Sequence, residues 1–106
     1  MKNQLLLVGA LLCCLATGAA SGQGDPEAGK RLASTCMGCH GIPGYQNVYP
    51  SYHVPKLGGQ HADYIVSALQ AYKNGQRAHD TMHANASALS EQAIQDIAAY
   101  FAAGNE

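Results

Sequence analysis

The pattern of apolar positions predicts two amphipathic helices in the second half of the chain. Across residues 60–73 the apolar side chains share one helical face, and Asn74 with Gly75 ends the pattern. A second stripe begins after Ser90, which is a helix-capping residue, and it closes at Gly104. The two faces consist of Tyr64, Ile65, Ala68, Leu69 and Tyr72 in the first helix and of Ile94, Ile97, Ala98 and Phe101 in the second.

A third helix is predicted nearer the start of the chain. Asp25 supplies an N-cap carboxylate, Pro26 suits the first helical position, and Glu27 places a negative charge at the positive helix end. We expect this helix to run to about Cys36. Gly29 inside it costs about 1 kcal/mol relative to alanine, so we expect a structural reason for it, such as the close approach of another helix.

The two remaining segments show no regular pattern. Glycine and proline interrupt residues 41–59 repeatedly, and no alternation of apolar and polar residues supports a sheet there. Residues 77–83 form a polar connector that we expect to be non-helical. The fold class predicted from these patterns is all-α, with three main helices joined by loops.

The N-terminus has the pattern of a secretory signal peptide. Lys2 precedes a mostly apolar run over residues 5–16, and small residues follow it. We predict cleavage after residue 20, to within two positions, so that residues 1–20 are a signal peptide, 21–24 a flexible lead-in and 25–106 one domain. An uncleaved anchor is the alternative, but the apolar run is shorter than the ~20 residues that a spanning helix needs. No stable membrane anchor is therefore expected.

Charge excludes one class of partner. The whole sequence has a formal net charge of −1, and it lacks the basic stripe that a nucleic-acid-binding surface would show. A chain this short also has a marginal apolar core, and it contains no tryptophan. We expect a bound apolar cofactor to contribute to folding.

The chemistry of the chain centres on residues 36–40, Cys-Met-Gly-Cys-His. Two cysteines separated by two residues and followed at once by histidine are the attachment signature of a c-type haem. Cys36 and Cys39 would add to the two vinyl groups, and His40 would lie under the iron. A structural zinc site would need a second pair of ligands, and a redox dithiol would need a thioredoxin-like pattern of strands and helices. The sequence therefore predicts one covalent haem c.

The ligand on the opposite side of the iron is predicted to be Met82. Met37 lies between the two anchoring cysteines and cannot reach the other face, so Met82 is the available thioether. A thioether opposite imidazole raises the reduction potential relative to two imidazoles. Filling both axial positions favours electron transfer over the binding of small molecules. The competitors for this position are the other histidines, His53, His61, His79 and His83.

Three tyrosines of the 41–59 segment are candidate haem contacts. Tyr45, Tyr49 and Tyr52 could pack on the ring or reach the propionates through their hydroxyl groups. They could equally fill a small cluster within the loop itself. The sequence leaves open which of them contacts the haem.

The chain resembles the class I c-type cytochromes, in particular the small soluble bacterial branch. The resemblance covers residues 25–104 and rests on the haem motif with Gly41, on residues 55–60, on Met82, and on Tyr64, Leu69, Tyr72, Gly75, Arg77, Leu89, Ser90, Ala99, Tyr100 and Phe101. It implies a cytochrome c-like fold of three main helices and loops wrapped around the haem.

The resemblance also carries expectations for particular residues. It implies that the Pro55 carbonyl binds the far nitrogen of His40, and such support is what a ligating histidine normally has. It implies that Gly29 lets the first helix cross the last one near Tyr100 and Phe101. Relatives in this branch often carry two haem domains in tandem, whereas this chain has one motif and resembles a single half.

The function expected from these features is that of a periplasmic monohaem electron carrier, not an enzyme. It would transfer electrons between respiratory-chain or dehydrogenase proteins. Its expected partners are redox proteins, not nucleic acid, and it is expected to be a monomer or a homodimer. One alternative is a permanent haem subunit of a periplasmic dehydrogenase. A haem gas sensor or peroxidase is a third reading, and it would require an iron that Met82 does not ligate.

Overall fold

The computed structural model describes residues 24–106, so the predicted signal peptide, residues 1–20, lies outside the described residues. Within residues 24–106 there are five helices and one hairpin. They are α1 (Pro26–Leu32), α2 (Met37–His40), β1 (Gln46–Val48), β2 (Ser51–His53), α3 (Ala62–Lys73), α4 (Asp80–Ala86) and α5 (Glu91–Ala102). No helix in this part of the chain has the length and apolar character needed to cross a membrane.

Helix α5 follows its predicted pattern closely. The Ser90 hydroxyl accepts a hydrogen bond from the Ala93 backbone N–H at 3.1 Å, so it caps the helix as expected. Gly104 ends it with φ +88°, a left-handed conformation that glycine adopts without a steric penalty. The predicted apolar face is buried, with Ile94 and Phe101 at its two ends. This helix is the centre of the apolar core.

Helices α1 and α3 occur where the sequence predicts them, but α1 ends earlier than expected and α3 begins at Ala62 instead of residue 60. Asp25 caps α1 by accepting the Glu27 N–H at 2.9 Å, but the helix ends at Leu32 and does not reach Cys36. The chain turns over residues 33–36 before α2 begins. Helix α3 ends at Lys73, and Gly75 follows with φ +74°. The mostly helical fold class is confirmed.

The core lies between α1, α3 and α5, which pack on one another through the central helix α5. Its buried apolar residues are Ala33, Ile65, Leu69, Ala86, Ile94, Ile97, Ala98, Tyr100 and Phe101. Small side chains make up a third of this set, so it contributes little apolar area for a domain of this size. The core is therefore small.

The crossing of α1 and α5 explains Gly29. A Cβ atom at this position would overlap the backbone carbonyl of Asp96 and would lie 2.9 Å from Cβ of Tyr100. Asp96 itself is buried, and its Oδ1 accepts hydrogen bonds from the Asp25 N–H at 2.8 Å and from Gln92 Nε2 at 2.9 Å. A polar contact and a close backbone approach thus fix the angle of α1 on α5.

The expectation that residues 41–59 contain no sheet is wrong. Strands β1 and β2 pair antiparallel, with Asn47 opposite Tyr52. Asn47 Nδ2 also donates to the Pro50 carbonyl at 2.7 Å and closes the turn. Each strand has three residues. A strand this short produces no alternation that a sequence pattern could reveal.

The expectation of a non-helical connector across residues 77–83 is also wrong, because α4 begins at Asp80. Helix α4 has seven residues and one fully buried side chain, Ala86. Two turns with a single buried residue show no apolar repeat at helical spacing. Met82 consequently lies in the first turn of a helix and not in a loop.

The α1–α5 crossing leads to a stability prediction. Gly29→Ala should lower the free energy of unfolding by about 2 kcal/mol or more, because the added methyl group forces two backbones apart. Thermal unfolding of the haem-loaded protein measures the change. Gly38→Ala is the matched control, since a Cβ there meets no heavy atom within 4 Å. Equal unfolding temperatures for the two variants would contradict the steric explanation of Gly29.

Candidate functional site

The motif Cys36–His40 lies on α2 and the residue before it. Cys36 is the N-cap residue of α2 and packs against the core, whereas Cys39 and His40 belong to the helix itself and are half-buried. His40 Nδ1 lies 2.7 Å from the Pro55 carbonyl oxygen. A carbonyl can only accept, so Nδ1 carries the proton and Nε2 keeps its lone pair. This is the tautomer that a metal-ligating histidine needs.

The position of Pro55 is fixed by α5. The Gly59 N–H donates to the Phe101 carbonyl at 2.9 Å, and Lys56 Nζ lies 3.1 Å from a Glu106 carboxylate oxygen. The segment that carries the Pro55 carbonyl is therefore attached to the end of the central helix. The orientation of the His40 ring follows from this attachment.

The state of the Cys36 thiol argues against a redox dithiol. Burial raises the pKa of Cys36 above its usual value, although a backbone hydrogen bond opposes the shift. Reactive cysteines of disulfide-exchange motifs have a lowered pKa, because the thiolate is the reacting form. A zinc site is not supported either, since residues 24–106 contain no cluster of three or more His, Cys, Asp or Glu side chains.

Met82 lies on a different element from the motif. Helix α4 packs on α3, and the Met82 side chain is half-buried against the edge of the core. Among residues 24–106, the backbone of α2 lies apart from those of the other helices and strands, although Met37 packs against the core. The imidazole and the thioether are thus carried by elements that are not packed together, which suits a flat ring inserted between them.

The residues present fit a haem c. Two thiols lie one helical turn apart, an imidazole has its Nε2 lone pair free because Nδ1 is bonded to a carbonyl, and a thioether lies on a separate helix. These are the attachment groups and axial ligands that c-type cytochromes use. Haem c would supply a one-electron iron couple, and these residues would supply the tethers and the two donors.

The histidines that compete with Met82 have other contacts or are exposed. His53 ends β2, and His61 precedes α3; both are exposed. His83 is exposed, and its Nδ1 donates to the Tyr72 carbonyl at 2.8 Å, the same kind of contact that His40 makes with Pro55. His79 caps α4, because its Nδ1 accepts the Met82 backbone N–H at 3.3 Å. The sequence pattern indicates neither contact, since histidine is not among the usual capping residues.

The three candidate tyrosines are placed differently. Tyr49 lies at the tip of the hairpin and is 92% exposed. Tyr45 is half-buried, and its backbone carbonyl accepts the Val54 N–H at 3.0 Å. The Tyr52 hydroxyl lies 3.1 Å from Thr81 Oγ1. Only Tyr52 of the three therefore bonds through its side chain to the helix that carries Met82.

Comparison with known proteins gives the same picture as the geometry. The cytochrome c family model matches residues 26–104. The chain belongs to the cytochrome c family. Cytochrome c4 of Pseudomonas aeruginosa is 40% identical over 97 residues, which cover 92% of this chain and 47% of that protein. Cytochrome c-554(548) of Halomonas halodenitrificans is 43% identical over 81 residues, which cover 74% of this chain and 94% of that protein.

Other relatives extend this comparison to structures and to enzyme subunits. The solved cytochrome c4 of Acidithiobacillus ferrooxidans superposes with a TM-score of 0.64 at 25% identity, covering 80% of this chain and 52% of that one. The cytochrome subunit of sulfide dehydrogenase of Chlorobaculum tepidum is 36% identical, covering 69% of this chain and 63% of that protein.

The family membership establishes the class of activity. Cytochromes c carry electrons on a covalently bound haem c and are not enzymes themselves, so the expectation of an electron carrier is confirmed. The chain spans about half the length of the cytochromes c4 that it matches, and nearly the full length of cytochrome c-554(548).

The tether assignment leads to a prediction. A Cys36→Ser, Cys39→Ser double variant should lose covalent haem, because no thiol within residues 24–106 remains to bond a vinyl group. Each single variant should keep one bond. Intact mass of the denatured protein distinguishes porphyrin that is bonded to the chain from porphyrin that is lost. Met37→Leu is the control within the same motif and should keep the haem mass. Retention of haem mass by the double variant would contradict the assignment.

Proposed function

We propose that this chain is a periplasmic electron carrier with one haem c, bonded to Cys36 and Cys39 and ligated by His40 and Met82. It passes single electrons between redox partner proteins. The observation that carries the proposal is the 2.7 Å contact between His40 Nδ1 and the Pro55 carbonyl. That contact leaves Nε2 as the free donor, on a ring whose direction the chain has already fixed.

Each donor contributes a separate physical effect. The carbonyl of Pro55 increases the electron density on His40, which strengthens it as a ligand. The Met82 thioether is a soft donor that raises the reduction potential. With both ligands bound, the iron surroundings would be similar in the two oxidation states. Little rearrangement then accompanies each electron, which suits a carrier.

The number of haems and the location belong to the same proposal. The sequence holds one Cys-x-x-Cys-His motif, so one haem per chain is proposed. Residues 1–20 are proposed to be a cleaved signal peptide, residues 21–24 a lead-in and residues 25–106 the haem domain. The N-terminal sequence and intact mass of the exported protein test both points. A start near residue 21 and the mass of a single haem are expected.

The ligand assignment leads to a second prediction for the haem-loaded protein. Met82→Leu keeps the volume of the side chain and removes its sulfur. It should abolish the weak far-red charge-transfer band of the oxidised protein. It should also lower the reduction potential by about 0.1 V or more, a fraction of the ~0.8 V that axial ligands span. Absorption spectroscopy and redox titration measure the two effects.

Met37→Leu is the matched control for this experiment. It makes the same chemical change in a methionine that lies between the two tethers on α2. The band and the potential should stay at their wild-type values. Loss of the band in Met37→Leu, or its persistence in Met82→Leu, would refute the assignment. Rapid carbon monoxide binding by the reduced wild-type protein would point instead to an open iron, as in a sensor or a peroxidase.

A second candidate function is a permanent haem subunit of a periplasmic dehydrogenase. Two observations favour it. Val48 and Tyr49 at the hairpin tip are 68% and 92% exposed, and exposed apolar side chains that lie together suit a protein contact. One of the relatives is named as the cytochrome subunit of sulfide dehydrogenase. Size-exclusion of native periplasmic extract, followed by haem absorbance, separates a free carrier from a subunit.

The hairpin tip provides a variant for this comparison. If the chain is a permanent subunit, Tyr49→Ser should move the haem absorbance from the size of a complex to that of the free protein. Tyr64→Ser is the matched control, because Tyr64 is an exposed tyrosine on α3, away from the hairpin. Elution of the wild-type haem at monomer size in fresh extract would exclude the subunit role.

A further inference from the structure

The helix that carries Met82 is held mainly by side chains. Helix α4 has seven residues, packs on α3 alone and buries one side chain completely. A helix this short is not stable on its own propensity. Its position, and hence the position of the Met82 sulfur, depends on tertiary contacts, among them those of its first turn.

The side chain of His79 bonds directly to the backbone of Met82. Its Nδ1 accepts the backbone N–H of Met82 itself at 3.3 Å. Because a backbone N–H can only donate, Nδ1 must hold the lone pair. The residue has an extended backbone, with φ −169° and ψ 105°, as a helix N-cap requires. The bond joins the start of α4 to the residue that is proposed to ligate iron.

The ring of His79 is held on two sides. It meets the edge of Tyr52 with 4.6 Å between ring centroids, and it meets Tyr72 at 6.2 Å, both at steep angles. Tyr52 belongs to the hairpin and Tyr72 to α3. The Tyr52 hydroxyl also reaches Thr81 Oγ1 at 3.1 Å. Three segments that are distant in sequence therefore meet at His79, next to Met82.

We propose that His79 is the positioning residue for Met82: its Nδ1 holds the Met82 backbone N–H while Tyr52 and Tyr72 hold its ring. This inference rests on the proposed ligation by Met82. Loss of a capping acceptor frees the first turn of α4. The thioether then leaves the iron more often, and an external ligand competes for the vacated position more successfully.

Three substitutions at position 79 distinguish the effect of the hydrogen-bond acceptor from the effect of the aromatic ring. His79→Ala removes both, His79→Asn keeps an acceptor that caps helices well, and His79→Phe keeps an aromatic ring without an acceptor. Imidazole titration of the oxidised, haem-loaded protein, followed at the far-red band, measures how easily Met82 is displaced. We expect His79→Ala and His79→Phe to bind imidazole about five- to tenfold more tightly, the change expected when a helix cap is lost. His79→Asn should stay near wild type.

His61→Ala is the matched control. His61 is also the N-cap residue of a helix, α3, but its ring makes no capping hydrogen bond. The His61→Ala variant should bind imidazole with the affinity of the wild-type protein. Thermal unfolding is measured in parallel, because a purely structural role for His79 would lower the unfolding temperature without changing imidazole affinity. That result would overturn the inference.

The remaining outcomes are also decisive. Unchanged imidazole affinity in His79→Ala and His79→Phe, or equally raised affinity in all three variants, overturns the role of the acceptor. If His79→Ala does not accumulate with haem, the comparison of His79→Asn with His79→Phe decides alone. A wild-type protein without the far-red band, or a Met82→Leu protein that keeps it, overturns the ligation by Met82 and this inference with it. If Met82→Leu abolishes the far-red band but His79→Ala leaves the imidazole affinity unchanged, only the inference about His79 is overturned.

Discussion

The small apolar core is the constraint on which the rest of this structure depends. Residues 24–106 bury few large apolar side chains, and these lie where α1 and α3 meet α5. A domain of this size with such a core is marginally stable. The two proposed iron ligands lie at its edge, on α2 and α4. A covalently bound haem between them would enlarge the apolar interior and so contribute to folding.

The fold consists of a packed framework, formed by α1 and α5, and of segments attached to it that carry the proposed ligands. The α1–α5 crossing at Gly29 and the buried carboxylate of Asp96 set the framework. The end of α5 then holds the segment with Pro55, and the Pro55 carbonyl orients His40. The imidazole side of the site is therefore connected to the core through the His40–Pro55 contact and the backbone hydrogen bond from Gly59 to Phe101. The thioether side depends on α4, which side chains of the hairpin and α3 hold in place.

This asymmetry has a consequence for electron transfer. A ligand held through the framework moves little, whereas a ligand on a short helix can detach at a modest free-energy cost. The two proposed axial ligands would then differ in lability. The uncharged hairpin with Tyr49 at its tip lies beside the labile side, because Tyr52 links it to α4. A partner protein that touched the hairpin would act on the same segment that positions Met82.

Much of this could be predicted from the sequence, for a local reason. Helices α3 and α5 follow from apolar spacing and from capping at Ser90, and the start of α1 follows from Asp25 and Pro26. The haem motif is a run of adjacent residues whose spacing carries its chemistry. The early end of α1, the hairpin and α4 were not predicted. Elements of three to seven residues contain no repeat that a pattern can detect.

What the sequence determined by itself is the chemistry: two thiols, an imidazole and a thioether in an order that suits one haem c, between helices that cover a core. What only the tertiary structure decided is the support of those donors. The reason is that the supporting contacts join residues that are far apart in the sequence. They are the contacts of His40 with Pro55, of Gly29 with Asp96 and of His79 with Tyr52. Such contacts depend on how the helices cross, and no local pattern of residues specifies a crossing.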